Sequence, residues 1–315
     1  MEPEGKKLRM NRPVIFSETP PFPQNMLMEL TNCCNHECVF CGYKNMKRKK
    51  IVCDKARMLD LMRQAYENGT REIGFYMIGE PFLCKDLPEY VEAAHDLGFE
   101  YIYLTTNGVL ATLERMKELI KKGLCSIKLS VNGATRATYA AVHGKDDFDV
   151  LKNNIEQLNE YVTRENIDFP IFISFIKNEL NKDDIDLLYH EFSNIVDRIY
   201  VFDCCNQAAG MADMISRGVV TKESLKPGST CPCEMIFNRI HITCEGYLNA
   251  CCSDVEGYLS AVDLRDFTLA EAWNSEKMVE LRRRHLNNEL GHTLCNSCIN
   301  NIEDTIVPIN ADLVP

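Results

Sequence analysis

Most of the sixteen cysteines in this 315-residue sequence lie in two separate clusters. The first cluster spans residues 33–41, and the second spans residues 231–298. In a reducing compartment, clustered thiols hold metal or perform redox chemistry more often than they form disulfides. The two clusters therefore predict two separate sites.

In the first cluster, Cys34, Cys38 and Cys41 follow the spacing Cys-x3-Cys-x2-Cys. Three thiolates on one short loop can ligate three corners of a cubane iron–sulfur cluster and leave one iron open for a further ligand. A zinc knuckle that also uses His36 is the alternative. Cys33 lies outside the spacing, and we interpret it as a bystander.

The second cluster contains a set of four regularly arranged cysteines. Cys233 and Cys251 flank Gly246 in the pattern Cys-x12-Gly-x4-Cys, and the glycine suits the turn of a β-hairpin. Cys295 and Cys298 complete the set. Four thiolates can hold either zinc or a [4Fe-4S] cluster.

The elements that must position these residues alternate between residues 26 and 205. Continuous apolar runs separated by amphipathic stretches predict a parallel sheet covered by helices. Six strand–helix units predict an α/β fold, a partial (β/α)6 TIM-like barrel, with an open doubly wound sheet as the alternative. The predicted strands are residues 26–31, 73–78, 101–106, 127–131, 171–176 and 199–202.

The first predicted helix covers residues 54–69. Asp54 suits its N-cap, and Gly69 suits its end. Apolar residues at helical spacing predict the face that packs on the sheet. These residues are Met58, Leu61, Met62 and Ala65.

Unusual loops follow each of the first four predicted strands. They are the cysteine motif, Ile-Gly-Glu-Pro at 78–81, Thr-Thr-Asn-Gly at 105–108 and Ser-Val-Asn-Gly at 130–133. Reactive sites in parallel α/β folds lie at the carboxyl ends of the strands. We therefore expect the four loops to converge on one site.

Composition limits the classes of function. The net charge of −11 argues against a nucleic-acid partner. No apolar run approaches the ~18 residues that span a bilayer, and the N-terminal residues lack the apolar segment of a secretory signal. We therefore expect a cytoplasmic protein with no membrane partner. A basic cluster at residues 44–50 is interpreted as a solvated loop or as a docking site for an acidic partner.

The cysteine loop, with Phe40 before its last cysteine, and the Gly79-Glu80-Pro81 stretch after the second strand carry a family resemblance. Residues 26–205 resemble the radical S-adenosylmethionine (AdoMet) superfamily. The resemblance implies that the three thiolates ligate a [4Fe-4S] cluster whose fourth iron takes the amino and carboxylate groups of AdoMet. It further implies that an electron from this cluster cleaves AdoMet to a 5′-deoxyadenosyl radical, which abstracts hydrogen from a substrate.

The same resemblance implies cofactor-binding roles on the other loops. Glu80 would accept a hydrogen bond from the AdoMet amino group. Ser130 and Asn132 match the positions that contact its ribose and carboxylate, with Asn132 where aspartate is common. Thr106 and Asn107 are either further contacts or the residues that shape a turn. The implied cofactor-binding set is Gly79, Glu80, Thr106, Asn107, Ser130 and Asn132.

Residues 231–300 resemble the SPASM/twitch extension of radical AdoMet enzymes. The resemblance lies in Cys-x12-Gly-x4-Cys, in residues 272–277 and in the final Cys-x2-Cys. No cysteine follows Cys298, which is typical of the truncated twitch form with one auxiliary [4Fe-4S] cluster. Cys252 is the alternative to Cys251 as a ligand. The implied ligands are Cys233, Cys251, Cys295 and Cys298.

Members of this group dehydrogenate aminocyclitols, epimerise sugars or modify peptides. Residues 75–87 and the truncated C-terminal module look most like the 2-deoxy-scyllo-inosamine dehydrogenase type, and the short segment before the first strand favours a small polar substrate. The resemblance implies two-electron oxidation of a sugar or aminocyclitol carbinol, with the auxiliary cluster as electron acceptor.

Three alternatives remain for the reaction. One is a peptide or protein maturase that oxidises side chains or forms thioether crosslinks. Another is a redox-neutral epimerase in which Cys204 or Cys205, after the sixth strand, donates hydrogen. The third is a zinc- or cluster-holding scaffold or redox sensor without enzymatic activity.

The expected electron donor is a flavodoxin or ferredoxin, for which the basic cluster at residues 44–50 is a candidate docking site. The predicted organisation is an N-terminal arm (1–25), the radical AdoMet partial barrel (26–205), a linker (206–230), the twitch/SPASM auxiliary cluster domain (231–300) and a C-terminal tail (301–315).

Overall fold

The computed structural model describes residues 13–206 and 211–314 of the chain. The strands of this part are β1 (Asn25–Met28), β2 (Glu72–Phe75), β3 (Tyr101–Thr106), β4 (Ser126–Ser130), β5 (Ile171–Lys177), β6 (Arg198–Asp203), β7 (Arg239–Ile242), β8 (Tyr247–Asn249) and β9 (Ser260–Asp263). Within the described residues they form one nine-stranded sheet in the order β6-β5-β4-β3-β2-β1-β7-β8-β9.

Strands β1 to β6 pair in parallel, each with the next strand along the chain. This arrangement confirms the predicted parallel α/β architecture. The first two strands end earlier than predicted, at Met28 and Phe75. Beyond them the chain enters the site loops, where the Glu80 N–H donates to the carbonyl of Cys33 at 2.7 Å.

Helices cover the outer face of the sheet, and no described helix is long and apolar enough to cross a membrane. The α-helices of the described residues are α1 (Lys55–Glu67), α2 (Leu87–Leu97), α3 (Leu113–Lys121), α4 (Arg136–His143), α5 (Phe148–Arg164), α6 (Ile185–Phe192), α7 (Met211–Ser216), α8 (Met235–Asn238), α9 (Leu269–Trp273), α10 (Glu276–Leu286) and α11 (Leu294–Asn300).

Helix α1 follows the prediction closely. The Asp54 side chain caps it by accepting from the Arg57 N–H at 2.8 Å, and Gly69 just beyond its end adopts φ +103°. All four apolar residues of the predicted stripe are buried against the sheet. The N-cap, the apolar spacing and the terminal glycine therefore act together, as expected for a helix that packs on one face.

The C-terminal region extends the same sheet, which the sequence did not predict. Strand β7 pairs in parallel with β1, and the predicted hairpin joins β7 to β8 through Gly246, which adopts φ +87°. The second thiol set is thereby attached directly to the barrel. The predicted domain boundaries stay a prediction. Residues 1–12 of the predicted arm, residues 207–210 of the linker and residue 315 of the tail lie outside the described residues.

Candidate active site

The thiol loop, residues 33–41, follows β1 and is held by hydrogen bonds at both ends. The Cys34 N–H donates to the buried Tyr43 hydroxyl at 3.0 Å, and that hydroxyl donates back to the Cys34 carbonyl at 3.1 Å. The Cys41 N–H donates to the Cys38 carbonyl at 2.9 Å. These bonds hold the start of the loop on Tyr43 and close a turn at its end.

The three predicted cluster thiols lie close enough to affect one another. Burial raises the pKa of Cys34 to about 12 and also raises those of Cys38 and Cys41. The neighbouring thiolates raise the pKa of Cys38 further. The raised pKa values mean that forming the three thiolates costs free energy. Bound iron offsets this cost, because a thiol that coordinates a metal is deprotonated. This donor set fits an iron–sulfur cluster, and the assignment of the three ligands stays a prediction.

Gly79 allows the second loop to approach the thiol loop. A Cβ atom at this position would lie 2.0 Å from the Thr31 carbonyl oxygen and 2.7 Å from that of Cys33. No side chain fits at such distances, so the predicted motif requires glycine here. The approach brings the Glu80 carboxylate near Cys34, whose pKa its charge raises.

Glu80 is buried, and two other predicted residues hold its carboxylate. Its Oε1 accepts from the Thr106 hydroxyl at 2.6 Å and from the Phe82 N–H at 3.1 Å. Its Oε2 accepts from the Asn107 N–H at 2.9 Å. Burial raises the pKa of Glu80, and these hydrogen bonds lower it. Oε2 accepts only one of these three bonds and so can accept a further hydrogen bond; the contact of Glu80 with AdoMet stays a prediction.

Ser130 and Asn132 lie at the carboxyl end of the fourth strand, which ends at Ser130, one residue earlier than predicted. Ser130 is half-buried at the end of β4. Asn132 is buried, its Oδ1 accepts from the Ile176 N–H at 2.7 Å, and its Nδ2 lies 3.3 Å from Nε2 of His143. The Asn132 side chain therefore ties β5 to α4, and its predicted contact with AdoMet stays a prediction.

His36, which raised the zinc alternative, belongs to a buried histidine pair. Its Nδ1 lies 3.2 Å from Nδ1 of His143, and its Nε2 lies 3.2 Å from Asp147 Oδ2. Nδ1 of His143 lies 3.5 Å from Cys38 Sγ. Burial lowers the pKa of His143 to about 3, which keeps its ring neutral. No sequence signal identified His143, because it lies 105 residues from Cys38 and follows no motif.

The site cavity, of about 150 Å³, lies beside the thiol loop. Cys41 and Ile78 line it from the first two loops. Cys204 and Cys205, which follow β6, and Cys252 line it as well. Both predicted hydrogen donors therefore share a cavity with the thiol loop, and their role stays a prediction. Sequence reasoning treated Cys252 only as an alternative metal ligand.

The four auxiliary thiols, those of Cys233, Cys251, Cys295 and Cys298, line a second cavity. Apolar side chains such as Ile236 and Leu294 surround them. Cys252 is not among the residues lining this cavity, whereas its neighbour Cys251 is. Four thiols in an apolar enclosure fit a fully ligated iron–sulfur cluster. The geometry supports Cys251 over Cys252, and the ligand assignment stays a prediction.

The basic cluster at residues 44–50 is not uniformly solvated, contrary to one predicted interpretation. Arg48 turns inward and pairs with Glu29 and Glu245, both at 2.6 Å. Glu29 precedes the thiol loop, and Glu245 lies in the turn between β7 and β8. Burial of this arginine is tolerated because two carboxylates neutralise it. The four lysines of the cluster are exposed.

Two family models match the chain. That of the radical SAM superfamily matches residues 28–188, more than half of the chain, and that of the SPASM iron–sulfur cluster-binding domain matches residues 231–299. A probable GTP 3′,8-cyclase of Saccharolobus solfataricus is 28% identical over 165 residues, which are 51% of this chain and 50% of that protein. One of Saccharolobus islandicus is 27% identical over 166 residues, with the same coverage. The chain thus spans about half the length of the curated relatives it matches.

Solved structures share the fold at low sequence identity. BtrN in complex with AdoMet and 2-DOIA has a TM-score of 0.61 at 18% identity and covers 93% of this chain and 98% of its own. Streptococcus suis SuiB bound to precursor peptide SuiA has a TM-score of 0.64 at 16% identity, covering 82% and 66%. Hexahistidine-tagged anSMEcpe with bound AdoMet has a TM-score of 0.62 at 16% identity, covering 90% and 91%.

These matches confirm the partial barrel and determine the cofactors. A radical SAM domain binds a [4Fe-4S] cluster that in turn binds AdoMet, and a SPASM domain binds auxiliary iron–sulfur clusters. Both thiol sets fit such groups, so the zinc knuckle and the non-enzymatic scaffold are not retained. The chain belongs to the radical SAM superfamily and is a radical SAM enzyme with a C-terminal SPASM-type domain.

Proposed function

We propose that this enzyme oxidises a carbinol of a small polar substrate, a sugar or an aminocyclitol, by two electrons. The site cavity carries the proposal. Cys41 of the thiol loop lines one part of it, and Cys252, the neighbour of the predicted auxiliary ligand Cys251, lines another. A substrate there would lie between the two thiol sets.

The residues that would hold the cofactors are those of the two thiol sets. Cys34, Cys38 and Cys41 would ligate the AdoMet-binding cluster, and Glu80 would bind the AdoMet amino group. When bound, the first cluster would supply the electron that cleaves AdoMet to a hydrogen-abstracting radical. The auxiliary cluster would accept the electron that the substrate releases. The auxiliary ligands would be Cys233, Cys251, Cys295 and Cys298.

Lys128 supports a hydroxylated substrate. It lies on the face of β4 opposite to the buried Ile127 and Leu129, with its Nζ 5.6 Å from the ring centroid of Tyr76. Within residues 13–206 and 211–314 its ammonium group has no hydrogen-bond or ion-pair partner. Burial lowers the pKa of Lys128, although the nearby Cys252 opposes this shift. We expect its ammonium group, which lies near the cavity-lining Cys252, to donate a hydrogen bond to the substrate hydroxyl.

The electron donor would be a reduced flavodoxin or ferredoxin. Lys44, Lys47, Lys49 and Lys50 are exposed just after the thiol loop, in a chain whose net charge is −11. A local positive patch on an acidic protein favours an acidic partner.

The test uses the anaerobically reconstituted, reduced enzyme with AdoMet and separate pools of sugars, aminocyclitols, peptides and GTP. We expect 5′-deoxyadenosine to form only with a sugar or aminocyclitol pool, and the product to be lighter by two hydrogen atoms. Release that depends on a peptide or on GTP would contradict the proposed substrate class.

A redox-neutral epimerase is the second candidate, because three thiols outside the predicted ligand sets line the site cavity. They are Cys204, Cys205 and Cys252. In H₂O, an epimerase would return a product of the same mass as the substrate. In D₂O, the product would carry one deuteron. Full turnover after alanine substitution of all three thiols would exclude this candidate.

A further inference from the structure

His143 is held against the thiol loop by the backbone of α4. The Glu37 N–H donates to the His143 carbonyl at 3.2 Å, and the Val39 N–H donates to the Val142 carbonyl at 2.9 Å. The imidazole ring stacks on Tyr139, with ring centroids 4.1 Å apart and an interplanar angle of 18°. These contacts fix the ring beside Cys38. They therefore determine the 3.5 Å distance between His143 Nδ1 and the Cys38 sulfur.

The hydrogen bonds around His143 determine which ring nitrogen carries the proton. Its Nε2 lies 3.3 Å from the Asn132 backbone N–H, which can only donate. The Asn132 side-chain amide also directs Nδ2 at this nitrogen, because its Oδ1 already accepts from Ile176. Two donors meet Nε2, so Nε2 presents its lone pair and Nδ1 carries the hydrogen.

The second histidine is oriented in a complementary way. Nε2 of His36 faces Asp147 Oδ2 at 3.2 Å, and an ionised carboxylate can only accept. His36 therefore carries its hydrogen on Nε2 and presents the lone pair of Nδ1 to His143 at 3.2 Å. The His143 Nδ1–H thus has two acceptors, the His36 nitrogen and the Cys38 sulfur.

We propose that His143 donates its Nδ1–H to the Cys38 thiolate and thereby raises the reduction potential of the AdoMet-binding cluster. This inference rests on the proposed ligand role of Cys38. Hydrogen bonds to cluster sulfurs stabilise the additional negative charge of the reduced state. His36 and Asp147 are positioning residues: Asp147 fixes the tautomer of His36, and the His36 Nδ1 lone pair competes with the Cys38 sulfur for the His143 hydrogen.

The experiment is a redox titration of the iron-loaded enzyme, followed by the EPR signal that responds to AdoMet. His143→Phe keeps a ring that can stack on Tyr139 but removes the donor, and we expect a more negative midpoint potential. For a one-electron couple, a shift of about 59 mV in the midpoint potential corresponds to a tenfold change in the equilibrium constant for reduction. An unchanged potential in His143→Phe would overturn the proposal.

The variant His36→Phe distinguishes an effect of the His143–Cys38 hydrogen bond from a non-specific disturbance of the site. It removes the competing acceptor, so His143 donates to sulfur alone and the potential stays equal or becomes more positive. Potentials lowered alike in both variants would overturn the proposal. His143→Gln, which retains an N–H donor, should recover part of the shift.

If His143→Phe does not retain iron, pulsed EPR of the wild-type enzyme with ¹⁵N-histidine provides the test. We expect a nitrogen coupling on the AdoMet-responsive cluster, and its absence would overturn the proposal. None of these readouts involves the substrate, so failure of the proposed reaction leaves the result interpretable. Loss of the AdoMet-responsive signal in Cys38→Ala verifies the ligand on which the inference rests.

Discussion

The thiol loop and the auxiliary thiols differ in how the chain assembles them. The loop takes Cys34, Cys38 and Cys41 from one short segment, next to the buried carboxylate of Glu80 and a histidine pair. The auxiliary set comes from three separate segments and is surrounded by apolar side chains. One site has three thiols and polar groups for a ligand, whereas the other has four thiols in an apolar cavity. From this comparison we propose that the cluster of the thiol loop binds an exchangeable ligand and that the auxiliary cluster only transfers electrons.

The largest effect is expected at the thiol loop. Cys38→Ala removes one of three ligands, so we expect AdoMet cleavage to be abolished, as measured by 5′-deoxyadenosine release. Cys33→Ala is the matched control, because within the described part of the chain the hydrogen bond of its thiol is a long one, of 3.9 Å, to the Ile51 carbonyl. Equal activity in Cys38→Ala and Cys33→Ala would break the distinction drawn within the loop.

The auxiliary set is tested by two adjacent residues. Cys251→Ala should lose the auxiliary cluster, about four of about eight irons per chain, while the thiol loop keeps its own. Cys252→Ala should retain all of the iron, because its side chain lines the site cavity. Anaerobic iron analysis distinguishes the two, and the reverse pattern would assign the ligand to Cys252.

Arg48 connects the two regions, since it pairs with Glu29 before the loop and with Glu245 of the hairpin. Arg48→Met leaves a buried carboxylate without its partner, which costs roughly 3–5 kcal/mol of the free energy of unfolding. Anaerobic urea titration followed by circular dichroism measures it. Arg63→Met, which breaks exposed pairs on α1, should change stability by less than about 1 kcal/mol. Similar losses in both variants would contradict a role for burial.

The smallest effect is expected at Glu80, whose carboxylate is predicted to bind the AdoMet amino group. Glu80→Gln keeps the shape but loses a charged acceptor, worth roughly 1.5–3 kcal/mol, so the Kd for AdoMet should rise roughly 10- to 100-fold. Asp86→Asn, at an exposed carboxylate before α2, provides the control. An unchanged Kd, measured by equilibrium binding to the oxidised enzyme, would remove Glu80 from the AdoMet site.

Local features of the fold were predictable because their determinants are close in sequence. The stripe of α1 repeats at helical spacing, Gly246 marks its hairpin, and the three loop cysteines lie within eight residues. The convergence of Glu80, Thr106 and Asn107 also followed from the parallel sheet, since each lies at or just beyond the carboxyl end of a strand.

Features that depend on distant partners were not predictable. Arg48 lies in a run of lysines that favours a solvated loop, and its burial depends on Glu245, 197 residues away. His143 ends an ordinary amphipathic helix, and its role depends on His36, 107 residues away. The pairing of β7 with β1 likewise joins segments more than 200 residues apart. A single sequence carries no signal for such pairs, because periodicity and spacing report only local structure.

The central claim is that the two clusters are not equivalent, and EPR of the reduced enzyme with and without AdoMet tests it most directly. Two variants isolate the sites: Cys34/Cys38/Cys41→Ala retains the auxiliary thiols, and Cys233/Cys295→Ala retains the thiol loop. We predict that AdoMet changes the spectrum of the variant that keeps the loop and leaves that of the other unchanged. A spectral change in the variant without the loop cysteines would contradict the account.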